Sequence, residues 1–434
     1  MTRGDAVAGT GAVTGAETVG RDGVPADAHV MTAAEAVDGP VQEVMHEPRL
    51  WPAQATVDLA AISDNVRVLR ERAGGAELMA VVKADAYGHG LVPAARAALA
   101  GGACALGVAQ PSEAIALRAA GVDAPVLTWL VAPGVDVRPL VEADVEVAAA
   151  TPWTLDALAE AARASGRTAT TQLKVDTGLA RNGASAIPLS AGDPRTDWAD
   201  LVARAAALEA EGLLRVRGLF THFAYADAPE HPTVRHQQEV FADAVALAER
   251  AGLRPKVRHM SNSAATLTTP GATWDMVRPG LAVYGLSPVP DLATAAQLGL
   301  RPAMRVTASA AVVKRVPAGQ GVSYGHTYAP ERETTLVDVP LGYADGVPRH
   351  ASNAGPVQVG GRRFRVAGRV CMDQFVVDVG DLPVAAGDEV VLFGAGDEGE
   401  PTAQDWADAA GTISYEIVTR FGPRVPRVYV GGTV

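Results

Sequence analysis

Residues 77–284 repeat one unit: a short apolar run followed, in most repeats, by a helical pattern. The runs fall at 77–84, 103–109, 125–130, 145–149, 168–175, 215–223, 256–261 and 276–284. Their apolar residues are consecutive rather than alternate, as in strands buried on both faces. Such strands are parallel, and parallel neighbours need a crossover. Helical patterns at 93–100, 112–120, 151–164, 199–210 and 234–251 supply it, with Thr151 placed to cap the third. Eight βα repeats predict a (β/α)8 barrel of the TIM type. The competing open, doubly wound sheet usually carries a glycine-rich phosphate turn after its first strand, and none follows the first run here.

At 434 residues the chain is long for a single core, so further parts are expected. Residues 1–48 are rich in Gly, Ala and Asp without a sustained period and read as a disordered leader. No apolar segment follows the early arginine, so a signal peptide is not expected. Met31 and Met45 offer later starts. Residues 49–290 form the barrel domain, with an initial strand at 55–59 that could join the part beyond. Residues 291–434 are broken into short runs by Gly, Pro and Asp, at 305–316, 335–340, 357–359, 363–370, 375–379 and 389–393. They read as a mostly β domain with one helix near 404–410.

The net charge of −12 without a basic block argues against nucleic acid, and no apolar stretch approaches a membrane span. Cys104 and Cys371 lie in apolar surroundings and read as buried thiols, which suits a cytoplasmic protein. No metal centre is expected.

Reactive side chains recur at the C-terminal ends of the runs, where barrels place their chemistry. Lys83 ends Ala80-Val81-Val82-Lys83, and a turn rich in glycine and aromatics follows. A lysine there is costly to bury charged unless it is paired, neutralised or bonded. It either holds pyridoxal phosphate as a Schiff base or merely emerges from a strand. Lys174 and Arg181 bracket KVDTGLAR, His222 ends a run, Asn262 and Ser263 follow another, and Arg278 sits in Val277-Arg278-Pro279-Gly280. Each has a plain alternative: His222 a core histidine, Arg278 half of an ion pair, Ser263 a helix cap. Their recurrence at successive strand ends argues for one site.

The segments AVVKADAYGHG (80–90), KVDTGLARNG (174–183), THFAYAD (221–227), SNSAA (261–265), VRPGLAVYG (277–285), VSYGHTY (322–328), GYADG (342–346), GRVCMDQ (368–374) and ISYEI (413–417) span nearly all of residues 51–434. With them the chain resembles the alanine racemases, fold-type III pyridoxal-phosphate enzymes. The resemblance implies that Lys83 carries the cofactor and is the base on one face of the substrate. It implies that Tyr324 is the base on the other face, reaching in from the second subunit of a homodimer. Arg278 would meet the pyridine nitrogen, and Arg181 the ring's phenolic oxygen and the substrate carboxylate. Tyr87, Asn262, Ser263, Gly280, Leu281 and Tyr415 would hold the cofactor, mostly at its phosphate. His222 would support Tyr324 and Arg278, and Tyr343 and Met372 of the second subunit would shape the substrate end. Lys174 stands where some members carry a carbamylated lysine. Ala180 departs from the glycine many relatives have.

These roles fit the chemistry of racemisation, in which a proton leaves one face of Cα and returns to the other. Two bases spare one base from crossing the ring plane. Lysine and tyrosine side chains ordinarily titrate near 10, so base work near neutrality calls for cationic neighbours. The implied product is D-alanine for peptidoglycan. Competing expectations are a racemase of broader or serine preference, a barrel decarboxylase, and a non-catalytic pyridoxal-phosphate carrier. Arg278 argues against the decarboxylase, which would place an acidic group at the ring nitrogen. The β domain argues against the carrier.

Overall fold

The computed structural model describes residues 50–187, 189–190, 192–193 and 196–432; the leader expected at 1–48 lies outside them. Eight parallel strands form the barrel: Glu77–Val81, Ala105–Val108, Val126–Thr128, Glu146–Ala149, Ala169–Asp176, Leu214–Phe220, Val257–His259 and Met276–Val277. Each pairs with the next, and Met276–Val277 returns to Glu77–Val81 and closes the ring. Four of these strands, Ala105–Val108, Val126–Thr128, Glu146–Ala149 and Met276–Val277, are buried along their whole length, because helices cover one face and the barrel interior the other. Inside, Met79, Ala105, Leu127, Ala148, Phe220, Val257 and Met276 make a separate apolar cluster.

The outer helices start and stop on local signals. Pro152–Ser165 has proline at its first position and ends on Gly166 at φ 67°. Asp197 caps Trp198–Ala210 by accepting from the Ala199 amide at 2.8 Å. Pro232–Arg250 buries Val234, Phe241, Ala244, Val245 and Ala248 on one face.

The two-residue strand Ala184–Ser185 pairs with Ala169–Asp176 beside the barrel, and the other described strands form two sheets. The first has six strands in the order Arg362–Arg365, Pro356–Val359, Glu389–Phe393, Met304–Ser309, Ala53–Asp58 and Arg427–Val430. Ala53–Asp58 runs antiparallel to Met304–Ser309 and parallel to Arg427–Val430, so the first and last strands described are neighbours. The second sheet is Val312–Val316, Thr334–Val339 and Phe375–Gly380.

Several sequence expectations need correction. The run at 305–316 is two strands in different sheets. Consecutive amides diverge, Ala310 N–H to Asp388 O and Ala311 N–H to Asp338 O, and the chain changes sheet between them. The run at 276–284 gives only a two-residue strand, because Pro279 cannot donate to a ladder, and Leu281–Tyr284 coils into a 3-10 turn. The strand at 77–84 stops at Val81, short of Lys83. Thr151 occupies the capping position, but its hydroxyl pairs with that of Thr154 at 2.9 Å and not with a backbone amide. Cys104 is exposed and Cys371 half-buried, not core thiols. Cys104 precedes its strand, with Sγ 3.4 Å from Leu78 O. A short helix at Ser414–Thr419 was not foreseen.

Candidate active site

Val82 still bonds to the sheet, its amide donating to Gly107 O, and Lys83 follows. Ala84, Asp85, Ala86 and Tyr87 then all take left-handed conformations, with φ 52–55° and ψ 37–53°. For non-glycine residues that costs about 1–2 kcal/mol each, so the turn must be held from outside. Glu113 accepts from the Ala84 amide at 2.5 Å, and its other oxygen accepts from Ala109 and Gln110. Asp85 Oδ1 accepts from Leu91 N–H at 2.7 Å. His89 lies with Nδ1 3.0 Å from the carbonyl oxygens of both Ala86 and Tyr87, so Nδ1 carries the proton and donates. Burial lowers His89 to about 4 and keeps it neutral. Arg427, from the last strand, donates to Gly88 O at 2.8 Å.

The turn faces a cavity of about 490 Å³ at the C-terminal mouth of the barrel. Lys83, Tyr87, Lys174, Arg181, His222, Asn262, Ser263, Arg278, Gly280, Leu281 and Tyr415 all line it. Trp129, Phe220, Glu416 and Thr419 line it too and had not been singled out. Among the described residues Glu416 is its one carboxylate, so cations dominate. Burial, then Arg181, lowers the Lys83 ammonium. Burial, with Arg278 and Arg181 adding, brings Lys174 down to about 8. His222, ringed by the same cations, is held well below its ordinary value, first by burial. Burial pushes Tyr87 and Tyr415 up, Tyr415 to about 12, so both keep their hydroxyl protons.

Asn262, not Ser263, caps the Ser263–Thr268 helix, accepting from Ala265 N–H at 3.0 Å. Ser263 Oγ instead accepts from the amides of Gly280 and Ala282 at 2.8 and 3.2 Å. With its lone pairs so used, its O–H remains as a donor at the cavity wall. Gly280 is required by space: a Cβ there would collide with the Tyr87 hydroxyl. Among the described residues Arg278 has no carboxylate partner. It donates to His259 Nδ1 at 2.8 Å, Thr221 O at 2.7 Å and Met260 O at 3.4 Å, and its guanidinium stands 5.3 Å over the Phe220 ring. Burial lowers it to about 9, so it stays protonated at neutrality. The ion-pair reading of Arg278 is therefore replaced by a donor held by neutral acceptors. His259 was missed; its one sequence cue is its place just before the Ser261-Asn262-Ser263 strand end.

Tyr324, Tyr343 and Met372 do not line the cavity. They are exposed at 69%, 38% and 53%, on loops tied to one another. Ser323 Oγ donates to Arg369 O at 2.7 Å and lies 3.3 Å from Cys371 Sγ. The Tyr343 amide donates to Cys371 O, and that of Ala344 to Met372 O.

The family model for the alanine racemase N-terminal domain matches residues 57–288, and that for the C-terminal domain matches residues 303–429. A protein of Frankia casuarinae called alanine racemase is 59% identical over 376 residues, covering 87% of this chain and 96% of that one. One of Streptomyces coelicolor with the same name is 57% identical over 382 residues, with coverages of 87% and 96%. The crystal structure of alanine racemase from D-cycloserine-producing Streptomyces lavendulae superposes with a TM-score of 0.85 at 55% identity, covering 89% of this chain and 99% of that one.

Proposed function

The chain belongs to the alanine racemase family and is an enzyme of that class; from that premise we propose that it interconverts L- and D-alanine with pyridoxal phosphate and two bases. The observation that carries the reading is one cavity lined by a lysine of lowered pKa, a serine hydroxyl left as a donor and an arginine with no acidic partner among the described residues. These residues fit an anionic pyridine aldehyde. The lining is cationic, and the cavity is in the usual size range for a small-molecule site.

When bound, the cofactor supplies the electron sink that a free amino acid lacks. Lys83, its ammonium lowered by burial and by Arg181, would hold the cofactor and would take or return the Cα proton on one face. Ser263, Tyr87, Tyr415, Asn262 and the segment Gly280-Leu281 hold the phosphate. Arg278, having donors only, offers the ring nitrogen no proton acceptor and no acid, which keeps the sink weak and limits side transamination. Arg181 meets the substrate carboxylate and the ring's phenolic oxygen. His222 would support Arg278 and the opposite base, and Lys174 would add positive potential or, carbamylated, an anion beside Arg181.

That opposite base is Tyr324 of a second copy. The exposure of Tyr324, Tyr343 and Met372 on linked loops, outside their own chain's cavity, supports a homodimer with shared sites. We place the division between the barrel and the β domain near residue 290. The product, D-alanine, serves peptidoglycan synthesis in the cytoplasm; among the described residues no helix is long and apolar enough to cross a membrane. The test is chiral detection of D-alanine from L-alanine and pyridoxal phosphate, beside Lys83→Ala and Tyr324→Phe. Conversion lost in both variants supports the two-base reading. Cofactor uptake with conversion of serine alone would replace alanine as substrate, and no uptake would refute the assignment.

A further inference from the structure

Behind Arg278 a single file of buried polar side chains crosses the barrel. Arg278 Nη1–H meets His259 Nδ1 at 2.8 Å, His259 Nε2 meets Gln172 Oε1 at 2.6 Å, and Gln172 Nε2–H meets Glu146 Oε2 at 2.5 Å. Glu146 ends the file in an ion pair with Arg217. His259 and Gln172 are fully buried, and Glu146 and Arg278 are exposed by 6% each. Glu146 and Arg217 line a second cavity of about 330 Å³, beside Pro125, Val216 and Lys256, at the N-terminal ends of the strands. The file therefore joins the floor of the barrel to its mouth.

Donor and acceptor counting gives the file one direction. A carboxylate can only accept, so Gln172 must present its NH2 to Glu146 and its oxygen to His259. His259 must then carry its proton on Nε2, which leaves the Nδ1 lone pair for Arg278. Turning Gln172 over would put the proton on Nδ1, facing an Arg278 N–H, donor against donor. In a dry interior that mismatch is costly. The surroundings are shaped for the file. The pairing of Ala169–Asp176 with Leu214–Phe220 shifts register between Thr171 and Gln172. A Cβ on Gly218 would lie 2.6 Å from Gln172 Oε1. Phe220 stacks on His259 at 5.1 Å and 9°.

We propose that Glu146 is a positioning residue for the ring-nitrogen contact: its carboxylate, at the far end of the barrel, fixes the Gln172 amide, the His259 tautomer and so the edge that Arg278 turns to the cavity. The proposal rests on the reading of Arg278 as the ring-nitrogen partner.

The test uses the full chain, labelled with 15N-histidine and incubated with pyridoxal phosphate, as wild type, Glu146→Gln and Gly218→Ala, with His259→Asn to assign the resonance. The expected wild-type spectrum has a protonated Nε2 and an unprotonated Nδ1 at His259. A carboxamide at 146 can donate or accept, so both tautomers appear. The visible band of the lysine-bound cofactor shifts, and turnover falls about 10-fold, the size of one misdirected buried hydrogen bond, with KM for alanine unchanged. Gly218→Ala, which leaves every charge in place, gives the same signature and decides the matter if Glu146→Gln does not fold. A proton on Nδ1 in the wild type overturns the proposal. So does a folded Glu146→Gln that keeps the Nε2 proton, the band and the rate while losing only thermal stability. If no cofactor is taken up, the functional reading fails, and the histidine spectrum still judges the file.

Discussion

Mixing two dead variants tests where the second base comes from. Lys83 lines the cavity, whereas Tyr324 is exposed at 69% and outside its lining. If each site takes Lys83 from one subunit and Tyr324 from the other, Lys83→Ala and Tyr324→Phe homodimers are each deficient in both sites. Loss of a positioned acid or base should lower turnover at least about 100-fold. A hybrid of the two has one doubly altered site and one site with both native groups. Random reassociation of equal amounts makes about half of the dimers hybrid, each with one working site, so activity should return to about a quarter of wild type in a two-fold assembly. The assay is D-alanine formation before and after joint unfolding and refolding, with differently tagged variants so that hybrids can be isolated. Isolated hybrids with no more activity than their parents would refute shared sites and put Tyr324 on its own chain's cavity. Full activity in Tyr324→Phe alone would refute its role as a base.

Other outcomes follow from single contacts. Gly280→Ala sets a Cβ against the Tyr87 hydroxyl and should weaken pyridoxal phosphate binding at least about 10-fold, by titration of cofactor absorbance, with little loss of fold. Gly90→Ala meets both a φ of +93° and the Tyr429 hydroxyl, and should cost about 1–3 kcal/mol in urea unfolding; an unchanged midpoint would show that the last strand does not brace the turn. Lys174 sits at about 8 in the fold against 10.5 when free, so between those values the unfolded chain binds more protons and stability rises with pH. Lys174→Met should remove that rise, read as the difference between the two proteins' urea midpoints at about pH 8 and about pH 10. Arg278→Glu should raise transamination relative to racemisation, measured as pyruvate and pyridoxamine phosphate. Because the carboxylate would face Thr221 O, Met260 O and the His259 lone pair, it should also lower stability by about 3–5 kcal/mol.

What the sequence made legible was whatever the barrel's own grammar places. Consecutive apolar residues gave the strands, and Lys83, His222, Ser263 and Arg278 stood out because a strand end in a barrel is a mouth. The file behind Arg278 had no such signal. Glu146, Gln172 and His259 sit on three different strands, and each looks ordinary beside its neighbours in sequence. Only strand pairing in the folded barrel brings Glu146–Ala149 against Ala169–Asp176, and Leu214–Phe220 between that strand and Val257–His259. Cys104 failed for a related reason: an apolar neighbourhood does not tell the last loop residue from the first strand residue. The left-handed turn at 84–87 is the deepest failure, since Ala84, Asp85 and Ala86 carry no local reason to leave right-handed space. Its supports come from Glu113 on one side and from Arg427, 339 residues beyond Gly88, on the other. A turn that opposes local preference so strongly exists only while those distant contacts are made. The lysine's direction is therefore set by the assembled molecule, with the last strand as one of its braces. That explains why the local rule breaks here, at the residue on which the chemistry depends, and not along the helices outside the barrel.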